Sequence, residues 1–247
     1  MKIIISPAKK MKEDTDTFGC RNLPRFLART EVLLAALRSM TYDELKKLWK
    51  CNDSIASLNE ERVRFMDLHR NLTPAVLAYE GIQYQYMAPE VFSDVEFAYI
   101  EEHLRILSGF YGVLRPFDGV TPYRLEMQAK LDVEGKKDLY GYWGSSLAET
   151  ICAETDCIIN LASKEYSQCI AKHLPADVQF ITCTFGELKD DKVVEKGTLC
   201  KMARGEMVRW MAEQKVTSPE ELKAFEGRNH SYAPAYSTET NYVYLAK

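Results

Sequence analysis

The sequence has no run of roughly 18 apolar residues, the length a membrane-spanning helix needs, so a role that depends on such a helix is excluded. Its opening, Met1-Lys2-Ile3-Ile4-Ile5-Ser6-Pro7, is apolar too briefly for a secretory leader, and the expected location is cytoplasmic. The seven cysteines contain no C-x-x-C pair, and the four histidines show neither H-x-x-H nor H-E-x-x-H spacing. A sequence-evident zinc site is therefore absent, and no metal site or other cofactor is expected. An odd cysteine count without a leader argues for reduced thiols, most of them small buried hydrophobes. No internal repeat, low-complexity tract or Gly/Pro/Ser-rich linker interrupts the 247 residues, so one domain over 1–247 is expected.

What is present is an ordinary globular composition, 46% hydrophobic and 28% charged, which can fill a full core. The formal net charge of −4 argues against a general nucleic-acid binder. The distribution says more than the total. Residues 1–30 carry seven Lys/Arg against three acids, and residues 196–215 five against two, while 88–103 hold five acids. Folding can gather the basic segments into one positive face, although a mixed solvated surface is the default.

Lys2 to Ile5 reads as a buried strand ended by Pro7. Helices are expected over 23–39, with Phe26, Val32, Leu33, Leu37 and Met40 on one side; from Thr41, with Glu44 closing a capping box, through Lys50; and from Asn52 or Asp53 to about His69, with Ile55, Leu58, Val63 and Phe65 as its apolar positions. Thr73-Pro74 is expected to open another short helix. Segment 94–107 starts helical and becomes an apolar run, Leu104 to Leu107, entering a sheet. Residues 145–154 read as a helix capped by Ser145 or Ser146, Cys157 to Leu161 as a central strand, and Ser163 as the cap of a helix to about His173. Val178 to Phe185 reads as a buried strand, Asp190-Asp191 as a hairpin turn, 199–214 as a helix, Ser218-Pro219-Glu220-Glu221 as a helix start and Tyr242 to Leu245 as a last strand. The alternation implies an α/β (mixed α+β) domain, a mixed central sheet wrapped by helices.

Four polar segments follow strands or open helices. In Ser6-Pro7-Ala8-Lys9-Lys10 the Ser6/Lys9 spacing matches an S-x-x-K acylase, but the companion S-D-N and K-T-G motifs are missing. Lys9 and Lys10 are better read as anion contacts or solvated lysines. Ser108 to Asp118, followed by Pro122 to Met127, is a long Gly- and Pro-punctuated loop carrying Arg115, Arg124, Asp118 and Glu126. Its arginines can fork onto a phosphate or can equally form an internal ion-pair network. Asn160 to Tyr166 is a strand, a polar turn and a helix N-terminus where free N–H groups favour an anion, although Ser163 can serve only as the N-cap. In Lys201 to Arg209, Lys201, Arg204 and Val208 share a helix face. Gly205 costs that helix about 1 kcal/mol relative to Ala, which implies close approach by a ligand or by another backbone. The stretch Leu45 to Leu58 suggests a helical hairpin whose turn, Lys50 to Asp53, has no glycine; residues 41–67 hold five basic and six acidic side chains.

In this order the motifs ISPAK ending at Lys9, SGFYGVLRPFD at 108–118, PYRLEM at 122–127, LYGYW at 139–143, NLASKEY at 160–166 and KMARG at 201–205 resemble the YaaA family of peroxide-stress proteins. They extend over most of the chain. The resemblance implies a cytosolic protein of the hydrogen-peroxide response, associated with low free iron and with protection of DNA. It also implies a basic DNA-binding cleft and a helix-hairpin-helix-like element, which would fall at 41–66. The C-terminal stretch departs from that pattern, with Asn229-His230 where a Gly-Tyr pair is expected.

Three functions follow as expectations. In the first, Lys9, Lys10, Arg115, Arg124, Ser163, Lys164, Lys201 and Arg204 contact DNA phosphates selectively for structure and without reading sequence. In the second, the cleft belongs to an enzyme acting on a nucleotide or damaged nucleic acid, with Ser6, Lys9, Glu126, Asn160, Glu165 and Tyr166 as candidate catalytic groups. The third, direct iron sequestration, lacks a ligand cluster. A deep pocket with perturbed acids would favour the second over the first.

Overall fold

The computed structural model describes residues 1–246. In chain order the strands are β1 (Lys2–Ile5), β2 (Lys10–Met11), β3 (Thr73–Pro74), β4 (Tyr79–Glu80), β5 (Leu104–Ser108), β6 (Gly112–Leu114), β7 (Gly119–Val120), β8 (Cys157–Leu161), β9 (Gln179–Lys189), β10 (Lys192–Val194), β11 (His230–Tyr232) and β12 (Asn241–Ala246). The helices are α1 (Leu27–Ser39), α2 (Tyr42–Trp49), α3 (Asp53–Phe65), α4 (Ala75–Ala78), α5 (Ile82–Met87), α6 (Asp94–His103), α7 (Leu139–Trp143), α8 (Ser146–Cys152), α9 (Lys164–Ala171) and α10 (Gly197–Gln214).

Eight strands form the expected mixed sheet, ordered β11-β12-β9-β8-β1-β5-β6, with β10 folded back on β9. The run from β12 to β5 is parallel. Its central strands are buried at every position but Lys2, reading KIII, LRILS and CIINL, the near-continuous apolar pattern of a sheet covered on both faces. Among the described residues no helix is long and apolar enough to cross a membrane.

Strand order also locates a crevice. The chain leaves β1 towards β5 and leaves β8 towards β9, so the connections part at the β1/β8 boundary. Open parallel sheets bind ligands outside the carboxyl ends of such a strand pair. Here those ends are Ile5 and Leu161.

Several local expectations hold. The Thr41/Glu44 capping box is formed, with Thr41 N–H donating to Glu44 at 2.8 Å. Asn52 caps α3 by accepting from the Ile55 N–H at 3.0 Å. Asp190 and Asp191 turn the β9–β10 hairpin with φ of 47° and 57°.

Others need correction. Helix α3 stops at Phe65, not near His69, because Arg38 takes up the carbonyls of Val63 and Met66 at 2.9 and 2.7 Å. Its inner face is Ala56, Asn59 and Val63, while Ile55, Leu58 and Phe65 are exposed. Of the expected positions Val63 does face inward; Ala56 and Asn59, which a count of large apolar residues passes over, complete the buried stripe at i, i+3 and i+7. In α1, Val32 likewise faces outward, and Thr30, Leu33, Leu34 and Leu37 face the core. Thr73-Pro74 does precede a short helix, but Pro74 is its N-cap rather than N1, and the pair itself is bonded to β7. The helix is the single turn of α4, tied down by Ala75 and Val76 N–H bonds to Asp118 and Pro116. The Ser218 capping box forms, but it starts a 3-10 turn, Pro219–Ala224.

Candidate functional site

At the carboxyl ends of β1 and β8, serines just beyond the strands hold each other. Ser6 Oγ accepts the Ser163 N–H at 2.8 Å and donates to Ser163 Oγ at 3.2 Å. Tyr84 of α5 donates to the Ser6 carbonyl at 3.0 Å. Above them opens a cavity of about 400 Å³.

Three further segments complete its walls, and a glycine admits two of them. The segment after Pro122 lies against the end of β5 so closely that a Cβ on Gly109 would sit 2.6 Å from the Leu125 carbonyl oxygen. This contact sets Arg124 and Glu126 on the cavity, backed by Tyr123, whose hydroxyl is bonded to Ser108 at 2.6 Å and Tyr79 at 2.9 Å. Helix α10 approaches α5 at Gly205, where a Cβ would meet the Gln83 carbonyl oxygen at 2.1 Å. The unfavourable mid-helix glycine is thus explained by a neighbouring backbone. Its consequence is that Arg204 and Lys201 of α10 share the cavity with Gln83 of α5. The β2–β4 pairing adds Lys10, bonded to Glu80 at 2.9 Å.

The lining carries five cations (Lys9, Lys10, Arg124, Lys201, Arg204) against three carboxylates (Glu80, Glu126, Glu165), so the cavity is net positive in an acidic protein. Lys9 pairs with Glu126 at 2.8 Å, Arg124 with Glu126 at 3.5 Å and Arg204 with Glu195 at 3.3 Å. The two arginines are nearly sealed from solvent, with side chains 11% and 13% exposed. Glu165 accepts the Gln128 N–H at 3.3 Å, and burial holds its carboxyl above the ordinary carboxylate range. Burial, reinforced by the neighbouring Tyr123 and Glu165, likewise raises the Tyr166 phenol well above its usual value.

Among the described residues, five buried side-chain polar atoms have no hydrogen-bond partner: Trp49 Nε1, Asn59 Oδ1, Gln83 Nε2, Arg124 Nε and Arg204 Nε. Gln83, Arg124 and Arg204 line this one cavity. Leaving a buried donor unmet costs about 1–3 kcal/mol, so three such donors on side chains around one cavity single that cavity out.

The cavity therefore gathers Ser6, Lys9, Lys10, Arg124, Glu126, Ser163, Glu165, Tyr166, Lys201 and Arg204 from all four sequence motifs. Three candidates lie elsewhere. Arg115 lines a smaller cavity with Arg105, Asp118 and Glu154, 3.9 Å from the Glu154 carboxylate. Asn160 is buried in the sheet, donating to Thr182 at 3.2 Å and accepting the Ala162 N–H at 3.0 Å, so it shapes the β8–α9 turn. Lys164 is exposed on the first turn of α9, away from the lining. Sequence reasoning missed Glu80, Gln83 and Tyr84. Nothing in residues 79–84 marks them, and the cost of Gly205 was the one signal that pointed to a close partner.

A model of the peroxide stress protein YaaA family matches residues 1–236. A UPF0246 protein of Lachnoclostridium phytofermentans is 55% identical over 245 residues, 99% of this chain and 96% of that protein. UPF0246 proteins of Agathobacter rectalis and Pediococcus pentosaceus are 51% and 49% identical, each over 99% or more of this chain and 98% or more of their own. Identity of that order over the full length, together with the family match, means that this chain belongs to the peroxide-stress YaaA (UPF0246) family.

Proposed function

We propose that this protein acts in the cytoplasmic response to peroxide by binding the phosphate of a nucleotide, free or as a unit of a DNA strand, in the cavity at the ends of β1 and β8. The observation that carries the reading is the set of three unpartnered buried donors, Gln83 Nε2, Arg124 Nε and Arg204 Nε, on side chains that line one net-positive cavity. Guanidinium groups fork onto phosphate oxygens, and the low exposure of both strengthens that attraction. A volume of about 400 Å³ falls in the range of small-molecule sites and exceeds what a bare phosphate fills. The exposed lysines on the rim, Lys9 and Lys10, suit the neighbouring phosphates of a strand.

This places DNA protection within the reading: contact is to backbone phosphate, so binding depends on strand structure and salt rather than on base sequence. Among the described residues, no group of three or more His, Cys, Asp or Glu is arranged to hold a metal ion, so a link to iron is taken as indirect.

The test compares a 5′-mononucleotide, single-stranded DNA and duplex or bubble DNA across a salt series, on wild type and on Arg124→Ala and Arg204→Ala. Each substitution should weaken binding about tenfold or more, the loss expected for a charge-assisted hydrogen bond. Binding unchanged in both variants would refute the site. Tighter binding of strands than of the mononucleotide, with a steep salt slope, would identify DNA as the source of the phosphate.

A catalytic reading is favoured by one observation, the raised carboxyl of Glu165 beside the Ser6–Ser163 pair. An acid of that kind titrates nearer neutral pH, where proton transfer is most useful. Glu165→Gln should abolish turnover of any nucleotide substrate while leaving phosphate affinity intact. Loss of affinity alone would remove Glu165 from the chemistry.

A further inference from the structure

A second cavity, of about 380 Å³, adjoins the first and has different chemistry. It lies under α2 and is lined by the apolar Met40, Leu48, Trp49 and Ala129 and by the charged Glu44, Lys47, Lys50 and Lys130. The two cavities share Lys9 and Glu126 as a common wall. That wall is a short piece of chain. Glu126 lines both cavities, and Gln128, two residues on, lines the second while its N–H is held by Glu165 of the first. Two residues of chain span at most about 7 Å, so the cavities are separated by little more than one side chain's reach.

A side chain lining the second cavity also carries an unmet donor. Trp49 is 3% exposed and its indole N–H has no acceptor. Indole nitrogen can only donate, and buried tryptophans usually find a partner. Thus four of the five unpartnered buried polar atoms among the described residues belong to side chains lining these two adjoining cavities, and all four are donors. The first set suits an anion. The second, an indole donor beside the apolar Met40, Leu48 and Ala129 in a space also bordered by charged side chains, suits a flat heterocycle carrying ring-nitrogen or carbonyl acceptors.

Resting on the phosphate reading above, we infer that the two cavities are halves of one nucleotide site, with phosphate on Arg124 and Arg204 and the base in the Trp49 cavity. Lys9 is then the group that changes partner. Its side chain is largely exposed, 64%, and its amine pairs with Glu126 at the shared wall, so an incoming phosphate competes with that carboxylate for it. The helical hairpin formed by α2 and α3 acquires a role that does not depend on a glycine turn: α2 roofs the base. Every base has acceptors, so the site selects for a nucleobase as a class and discriminates weakly among the four.

Calorimetry of inorganic phosphate and of the four deoxynucleoside 5′-monophosphates, on wild type, Trp49→Phe and Ala129→Leu, tests this. Trp49→Phe keeps an aromatic ring and removes the donor; Ala129→Leu fills the space without touching the arginines. The inference expects the nucleotides to bind at least about tenfold more tightly than phosphate in wild type, and Trp49→Phe to weaken them about five- to tenfold, one neutral hydrogen bond, with phosphate unchanged. Ala129→Leu should bring nucleotide affinity down to that of phosphate. Nucleotide should also quench a tryptophan signal that Trp49→Phe lacks. Nucleotide binding no tighter than phosphate, or variants that lower both equally, overturns the inference and leaves the phosphate site standing. No binding of phosphate or of nucleotide overturns both.

Discussion

Gly205→Ala tests the architecture of the site without touching a cation. On helix propensity alone the change should stabilise α10 by about 1 kcal/mol. The structure reverses that sign. A Cβ at 205 would lie 2.1 Å from the Gln83 carbonyl oxygen, 2.9 Å from the Met87 nitrogen and 3.0 Å from the Tyr86 Cβ. Ordinary contact begins near 3.4 Å, so α5 and α10 must move apart by more than 1 Å, and the obstacles are mostly backbone that cannot rotate away. Overpacking of this kind costs about 1–3 kcal/mol, and rigid backbone puts the cost at or beyond the upper end. After the propensity gain the net loss is about 2 kcal/mol or more, a fall in Tm of at least about 4–8 °C for a chain of this size. Gly197→Ala is the control, because nothing lies within 4 Å of its added Cβ, and there Tm should rise by about 1–3 °C. Differential scanning calorimetry reads both. Separation of α5 from α10 also withdraws Gln83 from Arg204, so phosphate binding should weaken in Gly205→Ala and persist in Gly197→Ala. A Tm that rises in both variants would refute the close packing and, with it, the way Arg204 reaches the cavity.

The cluster that holds Arg115 supplies two further tests. Burial pushes the Asp118 carboxyl up to about 6, against the Arg115 and Arg105 charges that oppose the shift. The folded state therefore binds a proton more tightly than the unfolded chain, and stability falls as pH rises from about 4 to about 6, then levels. Asp118→Asn, which can still accept the Arg115 N–H now bonded at 2.8 Å, should flatten that segment of a pH–denaturation profile; an unchanged slope would remove Asp118 as its cause. Glu154→Gln takes the counter-charge from Arg105, whose side chain is 5% exposed and donates to Glu154 at 2.8 Å. Breaking a buried pair from one side costs about 3–5 kcal/mol, with the Arg105 bonds to backbone carbonyls holding the loss near the lower figure in urea unfolding. A loss below about 1 kcal/mol would show that those carbonyls suffice.

The elements most legible in the sequence were those whose signal is local. A capping box, an N-cap asparagine and a turn of two aspartates each need only neighbours in the chain, and Thr41, Asn52 and Asp190 behave as their chemistry predicts. The buried central strands were legible too, because a sheet covered on both faces leaves no alternation to misread. The errors arose where partners distant in sequence decide. Arg38 ends α3 from another helix, and Asp118 and Pro116 bind the N–H groups of Ala75 and Val76. The inward stripe on α3 joins the expected Val63 to Ala56 and Asn59, which periodicity of large apolar residues does not register.

The same division runs through the site. Four polar motifs were visible because each follows a strand or opens a helix, and the fold brings ten of their side chains to one cavity. Arg115 and Asp118, in the longest of those motifs, go instead to the far side of β5, where β6 turns back antiparallel and carries them to Arg105. A motif can thus be divided by the strand it flanks: its glycine, Gly109, serves the cavity while its arginine serves the fold. The decisive property, donors buried without acceptors, is in no motif. It depends on which atoms remain unpaired after every other bond has formed, and that is settled only by the assembled structure. Gly205 is the exception that connects the two levels. Its cost in a helix is a sequence fact, the approach of α5 is the structural answer, and the shared wall of Gln83 and Arg204 is what that approach produces.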